Sequence, residues 1–267
     1  MATPAIKEPR PSTRFGSLSA TEVIPNGQPL RPVLFVHGWW GGAWVWDRFM
    51  SAFAARGYPC YAINLRGYHG SGGVDIANVS FDDHVEDIRR ATDALGDPIL
   101  VTHSASGLFA LKLAETRALP AVIHLVPTAP ATMVSWRTTR VMLPYLVTIL
   151  RGRPIILNKR DMLDADLNRL PPAEQEDVYA RMVPAPGKQG RDMLRVRIDA
   201  KRVRGPRLIV TGRDDRLVPV SIHQAMAKRF TSDLREYADH AHYLMREPGW
   251  ERIADDCLAW LNASLLG

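Results

Sequence analysis

Residues 98–108 read PILVTHSASGL, an apolar run that passes through small residues flanking a serine and into an alternation suited to a helix. A strand followed at once by a helix needs a sharp turn. Such a turn lifts the hydroxyl of Ser104 above the sheet and leaves room only for small side chains two positions away, here Thr102 and Ser106. The strict G-x-S-x-G pattern is not met, and Gly107 follows one position late. Taken alone, such a small-x-Ser-x-small pattern is common by chance, and a serine capping a helix N-terminus explains it as readily as any nucleophile turn does.

Working outward, similar runs recur on both sides: PVLFVHG (32–38), PCYAINL (59–65), AVIHLVP (121–127) and RLIVTG (207–212). Near-continuous apolar runs of this length are what strands covered on both faces look like. Between them, WVWDRFMSAFAARG (44–57) ends in a glycine stop. SFDDHVEDIRRATDALG (80–96) opens with Ser80 and Asp83 at capping-box spacing and closes at Gly96. Near the C-terminus Trp250, Ile253, Ala254, Cys257, Leu258 and Leu261 form a helical stripe. The pattern predicts an α/β layer structure with a mostly parallel sheet and helices on both faces. The alternation stops after Pro130 and resumes at Pro206, with WRTTRVMLPYLVTILRGRP (136–154), LPPAEQEDVYARM (170–182) and a turn-rich VPAPGKQG (183–190) between. The division that follows is a core of residues 1–133 and 205–267 carrying a helical cap of residues 134–204.

The chain has 267 residues, 46% of them hydrophobic and 23% charged, enough for one domain with a sizeable core. The opening MATPAIKEPRPSTRFG lacks the apolar run of a secretory signal and reads as a poorly ordered arm. VMLPYLVTIL, broken by Pro144 and followed by Arg151, is too short to span a bilayer, so a cytoplasmic location without membrane association is expected. Cys60 and Cys257 are too sparse for a disulfide framework or a cysteine metal site and read as core residues. The net charge of +6 is local: residues 134–204 hold 15 Lys or Arg against 8 Asp or Glu. Without interleaved aromatics or a nucleic-acid motif, this excess reads as a solvated surface, and no nucleic-acid partner is expected.

A serine is a poor nucleophile until a base takes its proton, and a third group must hold the base in the right tautomer. RLIVTGRDDRLVP (207–219) puts Asp214 and Asp215 in the loop after a strand, and YADHAHYLMREPGW (237–250) offers His240 and His242. FVHGWWGGAWVWDRF (35–49) supplies flexible backbone whose N–H groups can face a developing oxyanion; the candidates are those of Trp39 and Ala105.

With its HGWWGGAWVWDRF and NLRGYHGSG (64–72) stretches and the order Ser, Asp, His, the chain resembles α/β-hydrolases of the esterase, lactonase and cofactor-free haloperoxidase type. Asn64 stands where that family usually has Asp, a change expected to affect loop packing more than chemistry. The family's G-x-x-D-x-x-x-P pattern falls on Gly212, Asp215 and Pro219 and so selects Asp215 over Asp214. Its small-His-x-x-x-x-Glu pattern falls on Ala241, His242 and Glu247 and selects His242. The resemblance implies the α/β-hydrolase fold and a Ser104–His242–Asp215 triad without metal or organic cofactor. His37 is then a brace for the oxyanion loop, His103 packs beneath the nucleophile, and Glu247 supports the histidine loop or the last helix.

A serine nucleophile excludes the dehalogenase and epoxide hydrolase branches, which use an aspartate. It points to hydrolysis of a small to medium apolar carboxylic ester or lactone through an acyl-enzyme. Resemblance of GGAWVWDRF to plant methylesterases and hydroxynitrile lyases keeps carbon–carbon bond cleavage as an alternative, with amide hydrolysis behind it. From a different class comes a non-catalytic small-molecule receptor on the same scaffold. The apolar spacing of the cap makes Trp136, Leu143 and Leu146 expected substrate contacts, with Trp40 and Trp39 as an aromatic wall.

Overall fold

The computed structural model describes residues 10–12 and 15–266. In chain order its elements are β1 (Arg10–Ser12), β2 (Ala20–Val23), β3 (Val33–Val36), α1 (Asp47–Ala54), β4 (Cys60–Ile63), α2 (Phe81–Leu95), β5 (Ile99–His103), α3 (Ala105–Ala114) and β6 (Val122–Leu125). Then follow α4 (Trp136–Met142), α5 (Leu146–Leu150), α6 (Lys159–Ala165), α7 (Pro172–Arg181) and α8 (Gly187–Met193). The chain closes with β7 (Arg207–Gly212), α9 (Val220–Arg229), β8 (Asp233–Tyr237) and α10 (Trp250–Leu266). One eight-stranded sheet runs β1-β2-β4-β3-β5-β6-β7-β8, antiparallel at β1–β2 and β2–β4 and parallel from β4 to β8.

Alternation within the buried strands divides the core in two. Val33, Phe35, Val101, Ile123 and Val210 face one way and pack with Phe49 and Phe53 of α1 and Ile253, Cys257 and Leu261 of α10. Leu34, Val36, Leu100 and Ile209 face the other way, onto Ile88 of α2, Leu108 and Phe109 of α3, Met226 of α9 and Phe230 just after it. Both cysteines are free and buried, Cys60 in β4 and Cys257 in α10. The helix signals hold in atomic detail. Ser80 Oγ accepts from Asp83 N–H, Asp83 Oδ2 accepts from Ser80 N–H at 2.9 Å, and Gly96 ends α2 at φ +65°.

Three strands have no apolar signature and escape the sequence reading. β1 lies inside the stretch expected to be an unordered arm: Arg10–Ser12 pair with Ala20–Glu22 of β2, while residues 1–9 and 13–14 of that stretch lie outside the described residues. β8, DLREY, is an edge strand whose outer positions are polar, as an edge that must resist pairing requires. The turn-rich stretch 183–190 is also different from its reading, since GKQG opens α8. There Gly187 lies so close to the chain before it that an added Cβ would sit 1.8 Å from Arg153 O. Glycine marks a close backbone approach here, not a turn.

The sheet order reverses around β3, because the chain passes from β3 outward to β4 and then back across to β5. Ligands of open α/β sheets bind beside such a reversal, outside the C-terminal ends of the strands. The loops after β3, β5, β7 and β8 all leave from that edge. The five helices α4–α8 fill the connection from β6 to β7. Leu157, Met162, Leu167, Val178 and Ala185 of this segment join the core that α1 and α10 cover. Among the described residues no helix is long and apolar enough to cross a membrane.

Candidate active site

Ser104 sits between β5 and α3 at φ +51° and ψ −118°, a strained conformation for a residue with a side chain. Its side chain does not cap α3. The Oγ lies 2.9 Å from His242 Nε2 instead. Small neighbours make the turn possible. Ser106 Oγ accepts from His103 N–H and donates to Val36 O at 2.8 Å, tying the turn to β3. An added Cβ at Gly107 would meet Pro127 Cβ at 2.5 Å, and one at Gly38 would meet Ser104 Cβ at 2.8 Å. The late glycine of the serine turn thus lets α3 approach the end of β6.

His242 Nδ1 donates to Asp215 Oδ2 at 2.8 Å. The other oxygen, Oδ1, accepts from the backbone N–H groups of Leu217 and Val218, each at 2.8 Å. That carboxylate cannot rotate without losing both. Asp214 turns outward to pair with Arg169. His240 is buried with Nδ1 3.1 Å from Asp239. Gly212, at the end of β7, packs so tightly under the histidine loop that a Cβ there would lie 2.2 Å from His240 O. Glu247 holds the loop from the other side, accepting from Ala241 N–H at 2.7 Å and Tyr243 N–H at 3.0 Å. Burial pushes its carboxyl up to about 7, against those two N–H groups. His103 lies beneath and donates from Nε2 to His242 O at 2.9 Å.

Burial works to lower the pKa of His242, but Asp215, and after it Asp166, outweigh that and lift it to about 9. Asp166 has no sequence signal to set it apart from Asp161 and Asp164. It follows α6, is 1% exposed, and places Oδ1 3.5 Å from His242 Nε2.

The loop after β3 is braced by His37, whose Nδ1 donates to Gly38 O at 2.7 Å and whose Nε2 accepts from Leu65 N–H at 3.1 Å. Asn64 serves loop packing, since its Oδ1 accepts from Ala43 N–H at 2.7 Å and its Nδ2 donates to Ser19 Oγ at 3.0 Å. Trp39 Nε1 donates to Gln189 Oε1, and the Gln189 amide donates in turn to His84 Nδ1. Trp40, at φ +65°, donates from Nε1 to Ile155 O at 3.0 Å. Ala105 is the first residue of α3, so its N–H has no acceptor within the helix.

Ser104, Ala105, Trp39 and Trp40 open into a cavity of about 390 Å³. Met142, Leu143, Leu146, Ile149, Met193 and Leu194 of the inserted segment line it, together with Ala129, Met133, Leu217, Val218 and Ile222, and no lining residue is charged. Val134, Leu143 and Leu194 are also more than half exposed, which gives the cavity an apolar rim. Trp136 is not part of this wall: it is 74% exposed and lines no cavity with Ser104. Ser135, which caps α4, and Thr138, Thr139 and Met142 within it face the cavity, and Trp136 stands roughly 100° around the helix from that stripe. The basic residues gather elsewhere. A cleft of about 790 Å³ holds Arg137, Arg140, Arg169, Arg213 and Arg216, of which Arg169, Arg213 and Arg216 pair with Asp214, Glu236 and Asp164.

Comparison with known proteins bears on the family and the fold. A monoacylglycerol lipase of Mycolicibacterium smegmatis is 24% identical over 260 residues, covering 90% of this chain and 91% of its own. The crystal structure of a Paleococcus ferrophilus monoacylglycerol lipase superposes with a TM-score of 0.70 at 21% identity, over 92% of this chain and 99% of that one. A thermophilic esterase from Thermogutta terrifontis gives 0.72 at 18% identity, over 97% and 99%. Likeness at these identities speaks for the shared fold. The sequence model of the alpha/beta hydrolase family matches residues 33–255, and the chain therefore belongs to that family.

Proposed function

We propose that the protein is a serine hydrolase that cleaves carboxylic esters, open-chain or lactone, of apolar acyl groups through an acyl-enzyme. The observation that carries this reading is the buried line from Ser104 Oγ through His242 to Asp215, opening into a cavity without a charged wall. With Nδ1–H held by Asp215, the neutral imidazole presents its Nε2 lone pair to the Ser104 hydroxyl and takes that proton as the oxygen attacks the carbonyl carbon. The N–H groups of Ala105 and Trp39 are the proposed donors to the oxyanion, the former helped by the positive end of α3. His242 then returns the proton to the leaving alcohol, and water repeats the sequence on the acyl-enzyme. Residues 134–204 act in this reading as the cap that selects the acyl group.

The names of the relatives, two monoacylglycerol lipases and an esterase, support ester hydrolysis as the reaction class. The test is labelling with a fluorophosphonate probe, followed by p-nitrophenyl esters of rising chain length and simple lactones. Labelling lost in Ser104→Ala, with ester turnover lost in parallel, is expected. A folded wild-type protein that is labelled elsewhere, or hydrolyses none of these esters, overturns the reading.

A further inference from the structure

Asp166 is costly where it stands. It is 1% exposed, its Oδ2 makes no hydrogen bond, and it follows the C-terminus of α6, where its N–H donates to Met162 O at 3.0 Å. The carbonyl end of a helix disfavours a negative charge, and burial without donors disfavours it further. Among the described residues no lysine or arginine pairs with it. The group it approaches is His242 Nε2, at 3.5 Å, the same nitrogen that Ser104 Oγ meets at 2.9 Å.

We propose that Asp166 is a second carboxylate for the base, a positioning residue that holds the Nε2 proton of His242 and so sets the pH at which Ser104 can use that nitrogen. The proposal rests on reading Ser104 and His242 as nucleophile and base. Nδ1 is already committed to Asp215, so any further proton on His242 is on Nε2. A neutral imidazole there would aim its lone pair towards an ionised carboxylate in a buried site. The pair relieves this by keeping one proton between its members, on Nε2 or on Asp166. Only the second arrangement, or loss of the proton to solvent, frees Nε2 for the serine.

Other groups around His242 do not take this part. Asp215, from the loop after β7, faces Nδ1, and Glu247 is occupied by two backbone N–H groups behind the loop. His103, at the end of β5, and His223, in α9, are kept neutral by burial, which lowers both pKa values. Tyr243, the next residue, is held as the phenol by burial. Burial likewise raises Asp166, to about 6, so the pair titrates as a coupled unit across neutral pH.

The experiment compares wild type with Asp166→Asn, measuring fluorophosphonate labelling of Ser104 and kcat/KM for p-nitrophenyl butyrate between pH 5 and 10. In wild type the rise of both rates should be centred above pH 7. In Asp166→Asn it should move down by at least one pH unit, a tenfold gain at the acid end, while rates at pH 9 stay within about threefold. Asp166→Glu should restore the wild-type midpoint in part. An unshifted midpoint in a folded Asp166→Asn protein overturns the proposal. Should that variant not fold, Asp166→Ser replaces it, and an NMR titration of the His242 ring in wild type gives an independent measure. A His242 midpoint at or below that of free histidine overturns the proposal. Absence of Ser104 labelling at every pH would instead sink the hydrolase reading, and the NMR titration still decides on Asp166.

Discussion

Replacing Asp215 by Asn tests the geometry most sharply, because the backbone dictates how the new amide must sit. Oδ1 accepts two N–H groups at 2.8 Å, from Leu217 and Val218, so the amide oxygen has to take that position. The NH₂ then occupies the place of Oδ2 and points a donor at His242 Nδ1. Imidazole answers by moving its proton to Nε2, where it faces Ser104 and finds Asp166 3.5 Å away as an acceptor. The base is left in the wrong tautomer with a carboxylate to stabilise it. In a serine protease triad the same change costs on the order of 10⁴ in kcat, and here the expected loss is about 10³ to 10⁴. At about 1.4 kcal/mol per decade this amounts to roughly 4–5.5 kcal/mol of transition-state stabilisation. Steady-state hydrolysis of p-nitrophenyl butyrate measures it, with circular dichroism and a urea midpoint to show that the fold survives. Asp214→Asn, which touches only the exposed Arg169 pair, should stay within about twofold. An Asp215→Asn protein within tenfold of wild type, or an equal loss from Asp214→Asn, would refute the reasoning.

Because the cavity wall is apolar, each methylene buried in it should add about 0.8 kcal/mol, or roughly fourfold in kcat/KM, until the acyl chain fills the space. Leu146→Ala should shift that optimum to longer esters and Trp136→Ala should leave it in place; rates that fall steadily from acetate upward would contradict the assignment of the pocket. Gly212→Ala forces a methyl against His240 O and should cost about 1–3 kcal/mol in a urea titration, together with most of the activity, since it parts the loops that carry Asp215 and His242. Stability should also fall steeply in mild acid. Burial lowers the pKa of His37 and His124 to about 3 and of His84 and His223 to about 4, and holds His103 well below its ordinary value. Below about pH 6.5 the unfolded chain binds protons that these folded histidines refuse, while Asp166 and Glu247, raised to about 6 and 7, give up theirs on unfolding. The balance is an uptake of about three protons near pH 5.5, or roughly 4 kcal/mol per pH unit, which urea midpoints between pH 7 and 5 will show or disprove.

Legibility in the sequence followed burial. The strands covered on both faces announce themselves as unbroken apolar runs, and the capping box of α2 can be read letter by letter. β1, β2 and β8 lie toward the sheet's outer edges, where half the positions are polar, and such strands look like loops. In the serine, aspartate and histidine loops it is the resemblance to α/β-hydrolases that singles out Ser104, Asp215 and His242, and the structure brings these three side chains together. Asp166 could not be picked out. It reaches the site through the packing of α6 against the core, and nothing in DMLDADLN distinguishes the aspartate that turns inward from the two that do not. Trp136 failed for a related reason: helical spacing identifies a stripe but not which neighbouring stripe will face the cavity, and a one-residue error rotates the side chain by about 100°.

The bond from Trp39 to Gln189 has a consequence for anyone who would rebuild this enzyme by exchanging parts. It joins the loop after β3, next to the proposed oxyanion donors, to a helix of the inserted segment, and Gln189 is in turn held by His84 of α2. Residues 134–204 are therefore not a cassette that can be lifted out at its two roots. A chimera that imports a foreign segment without a glutamine at this place strands an indole N–H in the wall of the pocket and loosens the backbone beside Ser104. Transplants should carry Trp39, Trp40 and His84 with the segment, and those that do should keep their turnover while changing their choice of ester.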